Sequence, residues 1–461
     1  MINLNVRLAA VLIFIGLSGA MPFTADTSGN SNKSTDVEGI RISAGADSLI
    51  KMLPDFVGAA FRESGLPSLS IAVVYDRHIV YSQAFGFADL AKRTPVTTRT
   101  VYPIGSITKV FVATMLVKLA EEGVVTLDTH VETYLPEYQV KSPYKGTRQT
   151  TLHQLITHTS GLPKDANVNF WSDYSALNWL LSGGASEMEW YASTEEVLAS
   201  LPHIKLEYPP NSRYSYSNLG VTLLGIALER AANKPFTDYI EEHILEPLGM
   251  NDSGFQSKMR RSSLIPQGYV YTEPGSEPLV APEWKLGSAQ YSGGLYSTAE
   301  DMARFLSLQF QTDEPGGAQI ISADGLRVMH IESLGWGYVW DPTYKGIEHS
   351  GGHLGFHAYV RAYPGLKIGI VALTNSNNPM TEQRLSEEIA QAVLGELKKV
   401  MLAQAVFDPG QVDLSKYVGV YILPGAGAEM SIELRDGRLH AKLLRDTRFD
   451  YEINPVGVHE F

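Results

Sequence analysis

The chain has 461 residues, 44% of them hydrophobic, and a formal net charge of −13 at pH 7. This length and apolar content suffice for one large hydrophobic core and a smaller second unit. The acidic balance argues against a nucleic-acid partner, because phosphate binding requires clustered lysine and arginine and the sequence has no basic stripe. Cysteine is absent, which excludes disulfides, thiol nucleophiles and thiolate metal sites.

The first 20 residues have the pattern of a signal peptide. Arg7 provides a weakly positive start, and small residues follow the apolar run from Leu8 to Leu17. An uncleaved anchor is the alternative, but this run is far shorter than the ~20 residues that span a bilayer. We therefore predict that 1–20 is a signal peptide of an exported protein, periplasmic or secreted, without a stable membrane span. Residues 21–43 are small, polar and aperiodic, so we expect a flexible leader there.

In chain order, the predicted elements place strands at both ends of a long segment and helices between them. The first are a helix at about 47–64, a hairpin of strands 70–75 and 79–87, and an apolar helix from Ser106 to Gly123. They are followed by helices at about 218–232, 237–245 and 297–309, strands at 347–350, 357–363 and 368–374, and a closing helix at 381–405. This order predicts an α/β fold in which one antiparallel β-sheet is flanked by helices and joined to a mostly helical lobe.

Beyond residue 407 the pattern changes to short alternating strands separated by glycine-containing turns. We expect these strands at about 417–422, 430–434 and 439–443. They predict a small all-β C-terminal appendage. The expected domains are therefore a main domain at 44–406 and a β segment at 412–461.

Ser106-Ile107-Thr108-Lys109 is a Ser-x-x-Lys sequence at the start of the apolar helix. Residues three apart share a helix face, so the Lys109 side chain can reach the Ser106 hydroxyl. Burial weakens the preference of lysine for its charged form and lets it accept the serine proton. Such pairs also occur by chance on solvated helices, but here the neighbours are apolar.

A turn-rich loop at 209–218 offers a phenol, hydroxyls and an amide within a few residues. Tyr216 can move a proton between a nucleophile and a leaving group, and Asn218 can form a hydrogen bond with Lys109 or with a substrate amide. The alternative is that Tyr216 is a packing residue and Asn218 a helix cap at a loop-to-helix junction.

The segment His349–His353 follows a predicted strand, and its glycines allow the backbone to approach a ligand closely. The N–H of Gly352 can pair with the N–H of Ser106 as an oxyanion hole. The candidate substrate-binding and oxyanion residues are Asn218, His349, Ser350, Gly351 and Gly352.

A metal site is the competing interpretation of this segment, since His349, His353 and His357 are evenly spaced. We expect no metal, because the spacing crosses a glycine-rich turn and no carboxylate completes a ligand set. His153 and His158 are likewise interpreted as structural.

In this order, the three elements resemble the β-lactamase family in its broad sense, which includes class C β-lactamases, DD-peptidases, D-aminopeptidases and family VIII esterases. Ser106–Lys109 matches the first motif and Tyr216-Ser217-Asn218 the Tyr-x-Asn motif. His349-Ser350-Gly351 takes the place of Lys-Thr-Gly. The resemblance covers about residues 47–400.

The resemblance implies that Ser106 is the nucleophile and that Lys109 and Tyr216 are the general base and general acid. It also implies oxyanion binding by the N–H groups of Ser106 and Gly352, with no metal and no cofactor. His349 departs from the pattern, because typical β-lactamases have a lysine there that pairs with a substrate carboxylate. A neutral imidazole would hold that carboxylate less firmly, so we expect poor or absent penicillin turnover. Such His-x-Gly versions resemble the peptidase and esterase members.

The tail from Asp413 to Phe461 resembles the start of the lipocalin-like domain that follows many of these enzymes. It is too short for an eight-stranded barrel at ~5 residues per strand plus turns. We therefore expect a partial lipocalin-like domain.

The leading hypothesis is a serine hydrolase that cleaves a small-molecule ester or peptide substrate through an acyl-enzyme on Ser106. The alternatives are a β-lactamase or DD-peptidase acting on cell-wall-related substrates, and a non-catalytic ligand-binding or scaffolding homologue. An α/β-hydrolase mechanism would require a Gly-x-Ser-x-Gly elbow, which this sequence lacks. Because nucleophile, lysine and tyrosine are all present, the sequence favours turnover. It leaves the oligomeric state open.

Overall fold

The computed structural model describes residues 44–146, 149–166, 168, 192–255, 259, 264–272, 276–282, 286–310, 320–339, 345–376, 385–404, 414–423, 428–436, 438–443 and 446–453. These residues belong to one unit, Ile42–Phe461. The predicted signal peptide at 1–20 and leader at 21–43 lie outside the described residues and stay predictions.

The helices of the described residues differ widely in length. They are α1 (Ala44–Ser64), α2 (Thr108–Glu121), α3 (Leu152–Ile156), α4 (Thr194–Ser200), α5 (Asn218–Ala232), α6 (Phe236–Ile240), α7 (Gln290–Gly293), α8 (Ala299–Leu308), α9 (Ala323–Ile331) and α10 (Leu385–Gln404). Within the described ranges, no helix combines the length and the apolar character that crossing a bilayer requires.

The strands are short except in the main sheet and at the C-terminus. They are β1 (Ser68–Tyr75), β2 (His78–Asp89), β3 (Thr94–Pro95), β4 (Tyr102–Pro103), β5 (Gly254–Phe255), β6 (Tyr269–Val270), β7 (Leu279–Val280), β8 (Leu295–Ser297), β9 (Gly337–Val339), β10 (Gly346–His353), β11 (Phe356–Tyr363), β12 (Ile368–Thr374), β13 (Gly419–Leu423), β14 (Ala428–Arg435), β15 (Arg438–Leu443) and β16 (Asp446–Ile453).

The main sheet joins the two ends of the long segment. Its strand order is β3-β2-β1-β12-β11-β10-β9, and all of its described pairs are antiparallel. β1 pairs directly with β12 in a register that sets Ser70 opposite Leu373. This confirms the predicted α/β fold, with one antiparallel sheet assembled from distant parts of the chain.

Alternation along β1 explains why helices cover both faces of this sheet. Successive side chains of a strand point to opposite faces. Leu69, Ile71 and Val73 pack in a cluster that includes Leu53 of α1 and Val393 of α10. Ala72 and Val74 of β1 belong to the larger cluster, which contains residues of α2, α5 and α8. Both faces of β1 are therefore buried.

Helix α2 lies at the centre of the larger cluster, as its apolar sequence predicts. Every residue from Thr108 to Val117 is buried, including Lys109, which has 0% exposure. Phe111 stacks on Phe305 of α8 with the ring centroids 4.0 Å apart. A 3₁₀ turn at Gly105–Ile107 precedes the helix, so Ser106 lies in this turn and not in the first α-helical turn.

The glycines of β10 differ from the sequence prediction, which placed them in a turn after the strand. They are part of β10, where Gly351 pairs with Ala358 and Gly352 pairs with His357 of β11. The turn comes later, after His353. A strand without side chains at two positions can lie close to another backbone, which positions the candidate site.

The C-terminal strands β13, β14, β15 and β16 form a separate antiparallel sheet in chain order. Three of them match predicted strands, and β16 was not predicted. The all-β character of the appendage is confirmed. Its assignment as a partial lipocalin-like domain stays a prediction.

Candidate active site

The turn that carries Ser106 lies against the glycines of β10. A Cβ atom on Gly105, whose φ is +51°, would be 2.7 Å from Gly352 N and 2.8 Å from Gly352 O. A Cβ atom on Gly351 would be 1.9 Å from Ile104 O and 3.0 Å from Ser106 N. Only glycine fits either position, and their close approach places the N–H of Gly352 beside the turn that carries Ser106.

Lys109 is fully buried, and its side chain contacts Ser106. Its Nζ lies 3.0 Å from Ser106 Oγ and donates to the carbonyl oxygen of Ser292 at 2.9 Å. Burial lowers the pKa of Lys109 to about 7, and the positive charge of Lys164 acts in the same direction. The carboxylate of Asp165 opposes this shift. A lysine in this state is partly neutral near pH 7 and can accept a proton from the neighbouring hydroxyl.

Tyr216 completes the group around Ser106. Its hydroxyl forms a hydrogen bond with the Ser106 side chain, and Lys109 Nζ lies 5.0 Å from the centroid of its ring. Burial raises the pKa of Tyr216 well above its usual range, and the hydrogen bond with Ser106 only partly offsets this. The phenol therefore keeps its proton near pH 7 and is available as a donor.

Asn218 begins α5 beside these residues, but its partner differs from the expected one. Ser217, whose side chain accepts from Gly220 N, caps the helix. The Nδ2 of Asn218 donates to Asp165 Oδ1 at 2.9 Å and makes no described bond with Lys109. Asp165 therefore accepts a hydrogen bond from Asn218 and also raises the pKa of Lys109. Asn218 is linked to Lys109 through this carboxylate.

His349 lies on β10 next to this group and is half-buried. Its Nδ1 donates to the carbonyl oxygen of Ser350 at 2.6 Å. Burial lowers the pKa of His349 to about 4, and the nearby Lys109 adds to the shift. The ring is therefore neutral at pH 7, with the lone pair on Nε2. A group in this state accepts hydrogen bonds and offers no positive charge to a carboxylate.

His353 and His357, the other two histidines considered as metal ligands, have different surroundings from His349. His353 Nε2 lies 2.9 Å from the carbonyl oxygen of Gly293, and His357 is on the neighbouring strand β11. Among the residues that the structure describes, no group of three or more histidine, cysteine, aspartate or glutamate side chains could hold a metal ion.

Three residues that contact or act on Lys109 or Tyr216 are not identified as site residues from the sequence. Asp165 and Ser292 reach Lys109 only through tertiary contacts, and no local pattern marks them. His158 was interpreted as structural, yet its ring lies 4.5 Å from the ring of Tyr216. The only sequence signal was that Asp165 and His158 flank a Gly-Leu-Pro turn shortly after α3.

Residues 47–394, most of the chain, match the model of the Beta-lactamase family. The chain belongs to the Beta-lactamase family. The antiparallel sheet flanked by helices agrees with this membership. As a member of this family, the protein is a serine hydrolase.

Named relatives support the same family. The chain is 26% identical over 403 residues to penicillin-binding protein 4* of Bacillus subtilis, covering 81% of this chain and 83% of that protein. A penicillin-binding protein homologue of Pyrococcus abyssi, whose structure is octameric, has a TM-score of 0.64 at 26% identity and covers 88% of this chain and 90% of its own. A β-lactamase/D-alanine carboxypeptidase of Yersinia pestis has a TM-score of 0.60 at 22% identity. The match covers 77% of this chain and 99% of that chain, and it shows the shared fold.

Proposed function

We propose that this Beta-lactamase family member hydrolyses esters or amides through a covalent acyl-enzyme on Ser106. The observation that carries the proposal is the buried Lys109, with Nζ 3.0 Å from Ser106 Oγ and a pKa lowered to about 7. Burying a lysine destabilises the folded protein, so lysines are rarely fully buried. A buried lysine beside a hydroxyl therefore indicates a functional role.

In the proposed acylation step, neutral Lys109 takes the proton of Ser106 as Oγ attacks the substrate carbonyl carbon. The carbonyl oxygen becomes an oxyanion, which the N–H groups of Ser106 and Gly352 stabilise. Tyr216 gives its proton to the leaving alkoxide or amine as the carbonyl–heteroatom bond breaks. Its raised pKa keeps the phenol protonated until this step, and a proton from Lys109 then restores it.

Deacylation uses the same groups in reverse. A water molecule loses a proton to the Lys109 and Tyr216 pair and attacks the ester carbonyl of the acyl-enzyme. The second oxyanion collapses, the Ser106 oxygen leaves, and it recovers its proton. The products are a carboxylic acid and the free enzyme, and the chemistry requires no cofactor and no metal.

The pH dependence of Ser106 reactivity tests the role of Lys109. We expect the rate of Ser106 modification by a fluorophosphonate to fall about tenfold per pH unit below a midpoint near 7, because protonated Lys109 cannot accept the serine proton. The Asp165→Asn variant removes the negative charge that raises the Lys109 pKa, so its midpoint should move to lower pH. A rate that is flat from pH 5 to 9 would contradict the assignment of Lys109 as base.

The neutral His349 determines which substrates fit. A typical β-lactam carries a carboxylate, and His349 offers it a lone pair in place of a positive charge. We therefore propose substrates that are esters or short peptides presenting an N–H or O–H donor to His349 Nε2. β-Lactamase or DD-peptidase activity is the alternative.

The His349→Lys variant tests this difference. We expect it to accelerate acylation by a labelled penicillin by about tenfold or more, since a charge-assisted bond to a carboxylate becomes available. His349→Gln, which adds no charge, is the matched control and should leave the penicillin rate low. Rapid penicillin acylation of the wild-type protein would contradict the proposed selectivity.

The remaining proposals concern the whole chain. We propose that the protein is exported, with a signal peptide at 1–20, and that 44–406 forms the hydrolase domain. The segment 412–461 is proposed as a partial lipocalin-like domain. Mass analysis of the mature protein would test the cleavage after residue 20.

A further inference from the structure

We propose that His158 is a positioning residue that holds the Tyr216 hydroxyl against Ser106. The inference rests on the proposed function, in which Tyr216 handles a proton. It concerns a residue between α3 and the turn at Gly161, in a segment distant in sequence from the loop that carries Tyr216.

His158 contacts the Tyr216 loop through its backbone and its side chain. The N–H of Ser215 donates to the carbonyl oxygen of His158 at 2.8 Å. The N–H of Ser217 donates to His158 Nδ1 at 3.1 Å. These two bonds bracket Tyr216 and fix the backbone on both sides of it.

The imidazole ring also packs on the aromatic side chains of this loop. Its centroid lies 4.5 Å from that of Tyr216 at an interplanar angle of 36°. Tyr214 meets the same ring edge-on at 5.5 Å. Because Tyr216 has two side-chain torsions, fixing its backbone and one ring face leaves its hydroxyl little freedom.

His158 is buried, with a left-handed backbone and a neutral ring. It is 6% exposed and has a φ of +58°, a left-handed conformation that is uncommon outside glycine, although histidine adopts it more often than most residues. Burial lowers the pKa of His158 to about 3, and Lys109 and His349 add to this shift. The ring therefore stays neutral near pH 7, and Nδ1 keeps the lone pair that accepts from Ser217. Residues held in such a conformation cluster at functional sites.

The local chain anchors His158 from its other side. Thr151 and Gln154 form a capping box at the start of α3, which ends two residues before His158. A Cβ atom on Gly161, whose φ is +79°, would lie 2.0 Å from the carbonyl oxygen of Tyr208. Hydrogen bonds from Asn211 N to the carbonyl oxygen of Thr159 and from Glu207 N to that of Gly161, both at 2.8 Å, also tie this segment to the chain that leads to Tyr216.

A double-mutant cycle separates positioning from general stability. The variants are His158→Asn, Tyr216→Phe and the double variant, and the readout is kcat/KM for hydrolysis of an alkyl ester, whose leaving alkoxide takes its proton from Tyr216 in the proposed mechanism. Asparagine tolerates the left-handed backbone and retains an acceptor near Nδ1, but it removes the ring that packs on Tyr216. Phenylalanine retains the ring of Tyr216 and removes only its hydroxyl.

We expect His158→Asn to lower kcat/KM by about tenfold or more when Tyr216 is present, because displacing a reacting group by about 1 Å slows the reaction. In the Tyr216→Phe background the same change should alter the rate by less than about twofold. An equal loss in both backgrounds, or no loss in either, would overturn the proposal.

A control variant and a replacement variant make the outcome interpretable. His153→Asn removes a half-buried histidine of the same segment whose Nε2 contacts Glu332 at 2.7 Å, and it should leave the rate unchanged. If His158→Asn does not fold, His158→Gly adopts the left-handed backbone without strain and removes the ring, and its loss of rate should again vanish in the Tyr216→Phe background. Failure of the wild-type protein to react at Ser106 would count against the proposed function itself, not against the role of His158 alone.

Discussion

Ser106→Ala is expected to lower hydrolysis of an activated ester, such as a nitrophenyl acyl ester, by at least about 10⁴-fold. The variant removes the only hydroxyl that meets both Lys109 and Tyr216 among the described residues. Neither partner can replace it, because Lys109 is buried and Tyr216 holds its proton.

The loss should occur without loss of the fold. Ser106 is half-buried, and alanine fits the 3₁₀ turn, so the thermal midpoint should change by only a few degrees. Ser212→Ala, at an exposed serine of the loop before Tyr216, is the matched control and should retain wild-type activity. Near-normal hydrolysis by purified Ser106→Ala would contradict the assignment of the nucleophile.

Lys109→Met should strongly lower Ser106 reactivity while maintaining or raising the stability of the fold. Methionine has a similar length and no basic nitrogen, so the rate of Ser106 modification should fall by about 10³-fold, near the middle of the range for a lost general base. Burying the ammonium disfavours the folded state at pH 7, and the thioether removes this cost. Activity and stability should therefore move in opposite directions.

Burial of Lys109 should also make the stability of the wild-type protein depend on pH. The pKa of Lys109 is about 7 in the folded protein and near the ordinary lysine value when unfolded. Between these values the unfolded chain binds one more proton, so this group makes the free energy of unfolding rise with pH from about 7 to 10. The Lys109→Met variant should lack this contribution.

Lys118→Met is the matched control on the same helix. Lys118 pairs with Glu122 at 3.0 Å and lies away from Ser106. Loss of a partly exposed ion pair costs about 0–1 kcal/mol, so activity should be unchanged and stability slightly lower. If Lys109→Met lost stability instead, the lysine would be serving a structural role.

The sequence was most informative where local physics decides the structure. Helix α5 has the predicted limits because Ser217 caps its start and Asn233, with a φ of +47°, ends it. The Ser106, Lys109 and Tyr216 group could be predicted because Ser-x-x-Lys spacing and apolar surroundings dictate the approach of Lys109 to Ser106, and the family resemblance supplies Tyr216.

What the sequence could not supply depends on contacts between distant segments. Asp165 and Ser292 act on Lys109 only after α2, α5 and α7 pack together. The glycines of β10 resembled a turn because glycine weakens a strand, but pairing with β11 overrides this preference. Strand β16 was missed although Thr447, Phe449 and Tyr451 alternate with charged residues, a pattern typical of a strand.

The central claim is that Ser106 is an acylated nucleophile, and adduct mapping tests it most directly. The folded wild-type protein would be incubated with a fluorophosphonate and, separately, with a labelled penicillin, and the adducts located by mass spectrometry. We predict a phosphonate adduct on Ser106 and little or no penicillin adduct. An adduct on another residue, or no adduct from a folded sample, would contradict the account.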